Sequence, residues 1–319
     1  MPRCCALGSL CILVTAALLA PGKLVRGGDA VTVRDAGGQA VTISDTSRIV
    51  SVGGSVTEIL YALGLESRVI AVDSTSQFPP RALADKKNVG YMRQLSAEGV
   101  LGLAPSVVLA ADGSGPKETI AVLQSAAVPF VRIPDRFTGE GIVEKIKLIA
   151  AATETAARGE CLAETVAADL AALTKLRARI SEPVRVLFVL SFMNDRPMVA
   201  GRNTAADGII RLAGGVNASA DFEGYKIVND EAVIAAKPDA ILAMERPQFA
   251  LLADQVFAHP AFTLTPAATR KRLISMEGLY LLGFGPRTAR AARDLAGALY
   301  PALQTEALPS ERTSEACAQ

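Results

Sequence analysis

The sequence predicts an α/β protein made of two Rossmann-like lobes with mostly parallel sheets, joined by one long α-helix. Short apolar segments with strand character alternate with helix-like segments in both halves of the chain. This alternation is typical of a parallel sheet that helices cover on both faces. Between the halves, residues 138–180 show helical periodicity alone. The halves also repeat part of each other's sequence, which suggests two lobes of similar design.

The N-terminal half begins with a predicted hairpin, in which VTVRD and VTISD alternate apolar and polar residues around an AGGQ turn. RIVSVGG (48–54) predicts a buried strand that ends in glycines, and SVTEILYALGL (55–65) predicts the helix after it. Further strands are predicted at RVIAVD (68–73), SVVLAA (106–111) and VPFVRIP (128–134).

The segment 138–180 contains no proline and carries apolar residues at helical spacing, with alanines at most other positions. Because alanine is the best helix former, this pattern predicts one continuous helix of about 60 Å, at ~1.5 Å per residue. Beyond it, VRVLFVL (184–190), DAILAM and RLISMEG predict strands, and GPRTARAARDLAGALYP (285–301) predicts a closing helix.

An internal repeat supports the two-lobe prediction. LSAEGVLGLAPSVVLA (95–110) matches VNDEAVIAAKPDAILA (228–243), so that Glu98 aligns with Glu231. Open α/β sheets bind ligands at the carboxyl ends of their strands, and two such lobes form a cleft for a small molecule. As an alternative, a capped helix followed by proline and a strand recurs in many unrelated α/β proteins.

The first residues have the pattern of a signal peptide. Arg3 precedes an apolar run, Cys4 to Ala20, and small residues follow near a plausible cleavage point. Because the run is short for a membrane span, we expect an exported protein. A retained membrane anchor is the alternative. The predicted divisions are a signal peptide (1–27), an N-terminal lobe (28–138), a linking helix (139–180), a C-terminal lobe (181–303) and a disordered tail (304–319).

Composition excludes several function classes. The chain of 319 residues is half apolar and has a formal net charge of +1, whereas a nucleic-acid-binding protein would show a basic excess. The single histidine, His259, precedes a proline and leaves a hydrolytic triad with one weak candidate. GxxxxGK[ST] and GxSxG motifs are absent from the sequence. Cys161 and Cys317 remain after the signal peptide, and an oxidising compartment permits them to pair without requiring it.

The stretch NVGYMRQLSAEGVLGLAP (88–105) holds the candidate site. Tyr91 lies in a short predicted loop with Arg93 two residues later, and side chains at i and i+2 of an extended loop point the same way. A tyrosine phenolate is a known type of ligand for haem iron. Free tyrosine titrates near pH ~10, so ferric iron and a nearby cation must favour the phenolate. The alternative is a tyrosine packed on the rim of the core.

From Arg48 to Pro301, the sequence resembles the periplasmic haem-binding proteins of bacterial ABC importers, substrate-binding proteins whose lobes are joined by one long helix. The matching motifs are VSVGGSVTEILYALG, GYMRQLSAEGVL, RNTAADGIIRLAGG and GLYLLGFGPRT. The resemblance implies a non-catalytic periplasmic receptor, a monomer that accepts ligand in the interlobe cleft and delivers it to permease subunits in the membrane. A ferric-siderophore or corrinoid receptor of the same architecture is the alternative, and a secreted enzyme using Tyr91 or Glu98 is a more distant one.

The resemblance also implies roles for individual residues. Tyr91 would ligate the iron of ferric haem b, the transported ligand, with support from Arg93. Glu98 and Glu231 would meet arginines on the permease, although an acid in the first turn of a helix is favourable whatever it contacts.

Other predictions concern the rest of the cleft. Tyr225 and Tyr280 are expected to line its far wall, with core packing as the alternative. The candidates for binding the haem propionates are Arg246, Arg136, Arg202 and Arg287. Some family members carry two stacked haems and a histidine from the second lobe. Because the corresponding stretch VLSFMNDRPM has no histidine, we predict one haem.

Overall fold

The computed structural model describes residues 30–245, 251–303, 305–312 and 317. The predicted signal peptide (1–27) and Arg246 lie outside the described residues. The described chain forms two α/β lobes connected by helices, which confirms the predicted fold class. None of the described helices is both long and apolar enough to cross a membrane.

The N-terminal lobe consists of a parallel sheet preceded by a hairpin. Its strands are β1 (Val31–Arg34), β2 (Ala40–Ile43), β3 (Ile49–Val52), β4 (Val69–Val72), β5 (Lys87–Asn88), β6 (Val107–Ala111) and β7 (Phe130–Ile133). Its helices are α1 (Gly54–Ala62), α2 (Arg81–Asp85), α3 (Ala97–Leu101) and α4 (Lys117–Ser125).

The five-stranded sheet has the order β5-β4-β3-β6-β7 with every pair parallel. All four residues of β3 are buried, because packed side chains cover both faces of the sheet. The carboxyl ends of parallel strands share one edge. The loops that follow β3, β4, β5 and β6 therefore meet there, where an α/β sheet binds its ligand.

The linker differs from the predicted single helix, because it consists of α5 (Gly139–Ala152) and α6 (Ala156–Arg177). The chain turns at Thr153 and Thr155, whose buried hydroxyls lie 3.0 Å apart. α6 then returns along α5 so closely that a Cβ on Gly159 would lie 2.2 Å from the Cβ of Ala150. With 22 residues, α6 spans about 33 Å at ~1.5 Å per residue, and it forms the connection to the second lobe.

The C-terminal lobe contains the second sheet. Its strands are β8 (Arg185–Met193), β9 (Arg196–Ala200), β10 (Val216–Asn217), β11 (Tyr225–Ile227), β12 (Ala240–Glu245) and β13 (Leu273–Glu277). Its helices are α7 (Ala205–Leu212), α8 (Asp230–Ala236), α9 (Ala253–Ala258), α10 (Pro260–Thr263), α11 (Pro266–Thr269), α12 (Gly278–Leu282), α13 (Thr288–Leu299) and α14 (Pro309–Arg312).

This second sheet has the order β11-β9-β8-β12-β13, and β10 pairs with β8. β8, β12, β13 and β10 run parallel, whereas β9 and β11 add antiparallel pairs at one side. β9 was not expected from the sequence. Its signal was Asn194-Asp195, which both adopt positive φ, 50° and 59°, as in the two-residue turns that join antiparallel strands.

A C-terminal strap, residues 305–312 and 317, is held against the lobe, in contrast to the predicted disordered tail. The side chain of Leu308 is buried, and Asp169 of α6 accepts a hydrogen bond from the backbone N–H of Ser310 at 2.9 Å. Glu311 forms ion pairs with Arg290 and Arg293 of α13. A disulfide between Cys161 and Cys317 fastens the strap to α6.

The disulfide should contribute measurably to stability, because it closes a loop with a sequence separation of 156. Cross-linking so long a loop restricts the unfolded chain, typically by ~2–4 kcal/mol. We therefore expect Cys161→Ser to lower the free energy of unfolding by about this amount in chemical denaturation followed by circular dichroism. Cys317→Ser should lower the free energy of unfolding by a similar amount, and so should reduction of the disulfide in the wild-type protein. Equal stability of oxidised and reduced protein would contradict the prediction.

Two cations connect the lobes at their junction. Lys145 of α5 is fully buried, and its Nζ donates to Asp135 at 2.6 Å, to Ser55 of α1 at 3.2 Å and to the carbonyl of Phe284 at 3.2 Å. Arg287 of the C-terminal lobe forms a 3.0 Å ion pair with Glu58 of α1. Since α1 begins at the carboxyl end of β3, these contacts fix the base of the cleft.

Candidate ligand-binding site

Tyr91 and Arg93 lie in the loop that follows β5, at the ligand-binding edge of the first sheet. Gly90, directly before them, has a φ of 91°, which an L side chain rarely adopts. The Tyr91 side chain is exposed, and the Arg93 guanidinium donates a hydrogen bond from Nη1 to the Tyr91 hydroxyl at 3.4 Å. The structure therefore brings the two side chains together, although the segment is a turn, closed by a 2.8 Å hydrogen bond from the N–H of Gln94 to the carbonyl of Tyr91, and not the predicted extended loop.

Neighbouring loops hold this segment in place from both sides. On one side, the N–H of Ser74, after β4, donates to the carbonyl of Gly90 at 2.8 Å. On the other, Gly115, after β6, donates its N–H to Met92 and accepts one from Leu95, both at 2.9 Å. Such a backbone frame holds the loop that carries the phenol and the guanidinium in place, as a preorganised ligand-binding site requires.

Tyr225 of β11 brings a second phenol towards Arg93 from the other lobe. Its pKa is raised because the hydroxyl is removed from water, and the positive charge of Arg93 acts in the opposite direction. The side chain of Thr204 also lowers this pKa. The charge of Arg93 in the N-terminal lobe therefore acts on the phenol of Tyr225 in the C-terminal lobe.

Glu98 and Glu231 occupy equivalent positions on the two lobes. Each lies in the first turn of its helix, α3 or α8, and each is exposed. The side chains of Ser96 and Asn229 cap the two helices by accepting backbone N–H groups at 3.2 and 3.0 Å. The internal repeat thus corresponds to a structural repeat that presents one carboxylate on each lobe.

Comparison with known proteins agrees with this architecture. The sequence model of the periplasmic binding protein family matches residues 49–278. The chain belongs to that family.

Solved structures with the same two-lobed fold align with most of this periplasmic binding protein. The periplasmic heme-binding protein RhuT from Roseiflexus sp. RS-1, in its apo form, is 41% identical, covers 82% of this chain and 100% of its own, and has a TM-score of 0.76. The periplasmic heme-binding protein BhuT, in complex with two hemes, is 37% identical, with coverages of 81% and 99% and a TM-score of 0.75. A vitamin B12-binding protein of Vibrio parahaemolyticus is 27% identical over 76% of this chain and 86% of its own.

The remaining predicted residues of this periplasmic binding protein have different surroundings in the structure. The hydroxyl of Tyr280 donates to Asp294 of α13 at 2.7 Å, and burial together with that carboxylate raises its pKa strongly. Its hydroxyl is thus occupied, and only its ring remains to face a ligand. Arg246 is not described. His259 accepts the N–H of Ala261 with Nδ1 at 3.1 Å and caps α10, so it has a structural role.

The other candidate arginines also differ in their surroundings. Arg136 pairs with Glu144 at 2.9 Å on α5, beside a cavity of about 620 Å³ between α5, α6 and α7 that lies outside the cleft. Arg202 is exposed and lies near β11, the strand of Tyr225. Its backbone N–H donates to the carbonyl of Phe222 at 2.7 Å. Of these two arginines, Arg202 is therefore the one placed near Tyr225.

Sequence reasoning missed Phe78, an exposed aromatic side chain in the loop after β4. The centre of the Arg287 guanidinium lies 3.5 Å from the centroid of its ring. The available signal was the sequence FPP in the loop that follows a strand, at the sheet edge where ligands bind.

Proposed function

We propose that this periplasmic binding protein is exported by its N-terminal segment, binds one ferric haem between its lobes and delivers it to an ABC importer in the membrane. The observation that carries the proposal is the exposed Tyr91 hydroxyl with the Arg93 guanidinium at 3.4 Å, in a loop at the edge of the cleft. The names of the similar solved structures, which are heme-binding proteins, support it.

In the proposed function the protein only has to bind the ligand, through Tyr91 and Arg93. The phenol of Tyr91 loses its proton when its oxygen bonds to ferric iron, and phenolate is a hard anionic donor suited to that ion. The adjacent guanidinium of Arg93 stabilises the anionic oxygen. We assign no catalytic step, because a receptor has to release its ligand unchanged to the importer.

A corrinoid receptor is the second candidate, since vitamin B12-binding proteins are among the relatives. A corrinoid brings its own axial ligands to cobalt and does not need a phenolate. A ferric siderophore already saturates its iron, and would use Arg93 for its charge alone. The paired phenol and guanidinium therefore favour haem over both alternatives.

Titration of the purified protein with hemin, cyanocobalamin and a ferric hydroxamate siderophore tests the proposal. We expect high-spin ferric bands with hemin, an equivalence point at one haem per chain, and no saturable binding of the other two. Saturable binding of cobalamin without hemin binding would assign the protein to corrinoid transport. An equivalence point at two haems would retain the function and overturn the predicted stoichiometry.

We propose that Glu98 and Glu231 dock the loaded protein on the permease. The double variant Glu98→Ala/Glu231→Ala should retain hemin affinity, because both side chains lie on helix starts outside the Tyr91 loop. Close charge pairs across interfaces are worth at least ~1.5 kcal/mol each, so haem uptake in a reconstituted importer should slow by at least about tenfold.

The matched control is Glu118→Ala/Glu140→Ala, which removes two exposed acids from the first turns of α4 and α5. This control should transport at the wild-type rate. Equal uptake by both double variants would remove Glu98 and Glu231 from the docking surface.

A further inference from the structure

Phe78 lies in the loop adjacent to the Tyr91 loop. Its loop follows β4, and β4 pairs with β5, which leads into Tyr91. The two loops are joined by the Ser74–Gly90 backbone hydrogen bond at 2.8 Å and by a 4.0 Å contact between the Thr75 hydroxyl and the Met92 sulfur. The loops of Phe78 and Tyr91 therefore lie side by side at the ligand-binding edge of the sheet.

One face of the Phe78 ring is already occupied. The guanidinium carbon of Arg287 lies 3.5 Å from the ring centroid, which is cation–π stacking distance. Phe78 is nevertheless 37% exposed as a residue, so stacking on Arg287 does not cover it completely. Aromatic side chains that line a cleft between two lobes are common in ligand-binding sites.

Arg287 is itself held firmly, so the ring rests on a fixed support. Glu58 accepts hydrogen bonds from the Arg287 side chain at 3.0 Å and from its backbone N–H at 3.1 Å. The Glu58 side chain is 6% exposed and that of Arg287 is 21% exposed. Because Phe78 and Glu58 belong to one lobe and Arg287 to the other, the stack spans the seam at the base of the cleft.

We infer that Phe78, supported by Arg287, is the surface on which the flat ring of the ligand rests, and that it selects planar porphyrins. This inference rests on the proposed function and adds a second contact that is independent of iron. An aromatic face stacks well on a planar π system. A corrin ring is puckered and carries axial groups, and a ferric siderophore wraps its iron in three dimensions, so neither offers a comparable flat face.

Metal-free protoporphyrin IX isolates this contact, because it has the porphyrin plane and no iron for Tyr91. Absorbance titrations should show that Phe78→Ala weakens binding of hemin and of protoporphyrin IX by a similar factor, about tenfold. Phe78→Tyr keeps the ring and should bind both nearly as the wild type does. Tyr91→Phe should weaken hemin binding and leave protoporphyrin IX binding almost unchanged.

Leu264→Ala, which trims an exposed apolar side chain of the C-terminal lobe, is the matched control and should bind both ligands normally. Thermal unfolding of Phe78→Ala confirms that the variant folds. Unchanged affinity of Phe78→Ala for both ligands, or wild-type protein that binds hemin without binding protoporphyrin IX, would overturn the inference and leave haem binding intact. Wild-type protein that binds neither would overturn the proposed function itself.

Discussion

Tyr91→Phe is expected to lower hemin affinity by at least about a hundredfold and to remove the high-spin ferric bands of a tyrosinate complex. The variant deletes one oxygen atom and keeps the ring, so the loop that Ser74 and Gly115 hold in place is retained. Changes to groups that merely orient a metal ligand cost ~10–100-fold in metal affinity, and loss of the ligand itself should cost at least the upper value. Visible absorbance titration measures both effects.

Tyr61→Phe is the appropriate control for this experiment. The Tyr61 hydroxyl is buried within the N-terminal lobe and has no hydrogen-bond partner there, so its removal should leave hemin binding as in the wild type. A Tyr91→Phe protein with unchanged bands would place the iron on another ligand. Tyr225, the phenol on the opposite lobe, would then be the first residue to test.

Lys145→Met is expected to lower the free energy of unfolding by about 3–5 kcal/mol, the usual result of removing one partner from a buried ion pair. Lys145 is fully buried, whereas its partner Asp135 is 25% exposed. The variant leaves this carboxylate without its cation and the Phe284 carbonyl without its donor. Because water partly reaches Asp135, we expect the lower end of the range. Chemical denaturation followed by circular dichroism measures the change.

Lys147→Met provides the comparison, because Lys147 is two residues away on the same helix and pairs with Glu160 at 2.8 Å on the surface. Exposed ion pairs contribute ~0–1 kcal/mol, so this variant should unfold almost as the wild type does. The double variant Lys145→Met/Asp135→Asn should recover part of the lost stability. Equal losses for Lys145→Met and Lys147→Met would show that the buried lysine does not stabilise the lobe junction.

Elements whose signals are local were predicted well. The continuous apolar runs of β3 and β6 indicated strands buried on both faces, and the structure confirms both. The capped helices α3 and α8 were visible as a polar capping residue followed by an acid in the first turn. The side chains of Tyr91 and Arg93 meet as expected, but they do so across a turn closed by Gln94 and not along the extended loop on which the expectation rested.

Elements that depend on distant partners were not predicted. Alanine-rich sequence favours a helix at every position, so nothing local revealed that α6 folds back on α5 where Gly159 meets Ala150. The polar composition of the C-terminal strap suggested disorder, yet Cys161, Asp169 and Arg290 hold it from elsewhere in the chain.

The sequence by itself therefore determined the α/β class and the nearness of Tyr91 to Arg93, since both depend on residues within a few positions of one another, and the internal repeat indicated the two lobes. The tertiary structure alone decided how the lobes are joined and what surrounds the pair. Phe78 acquires a stacking partner, and Lys145 its acceptors, from residues far away in the chain. A contact between distant residues depends on how the whole chain packs, and such packing leaves no periodic signal in the sequence.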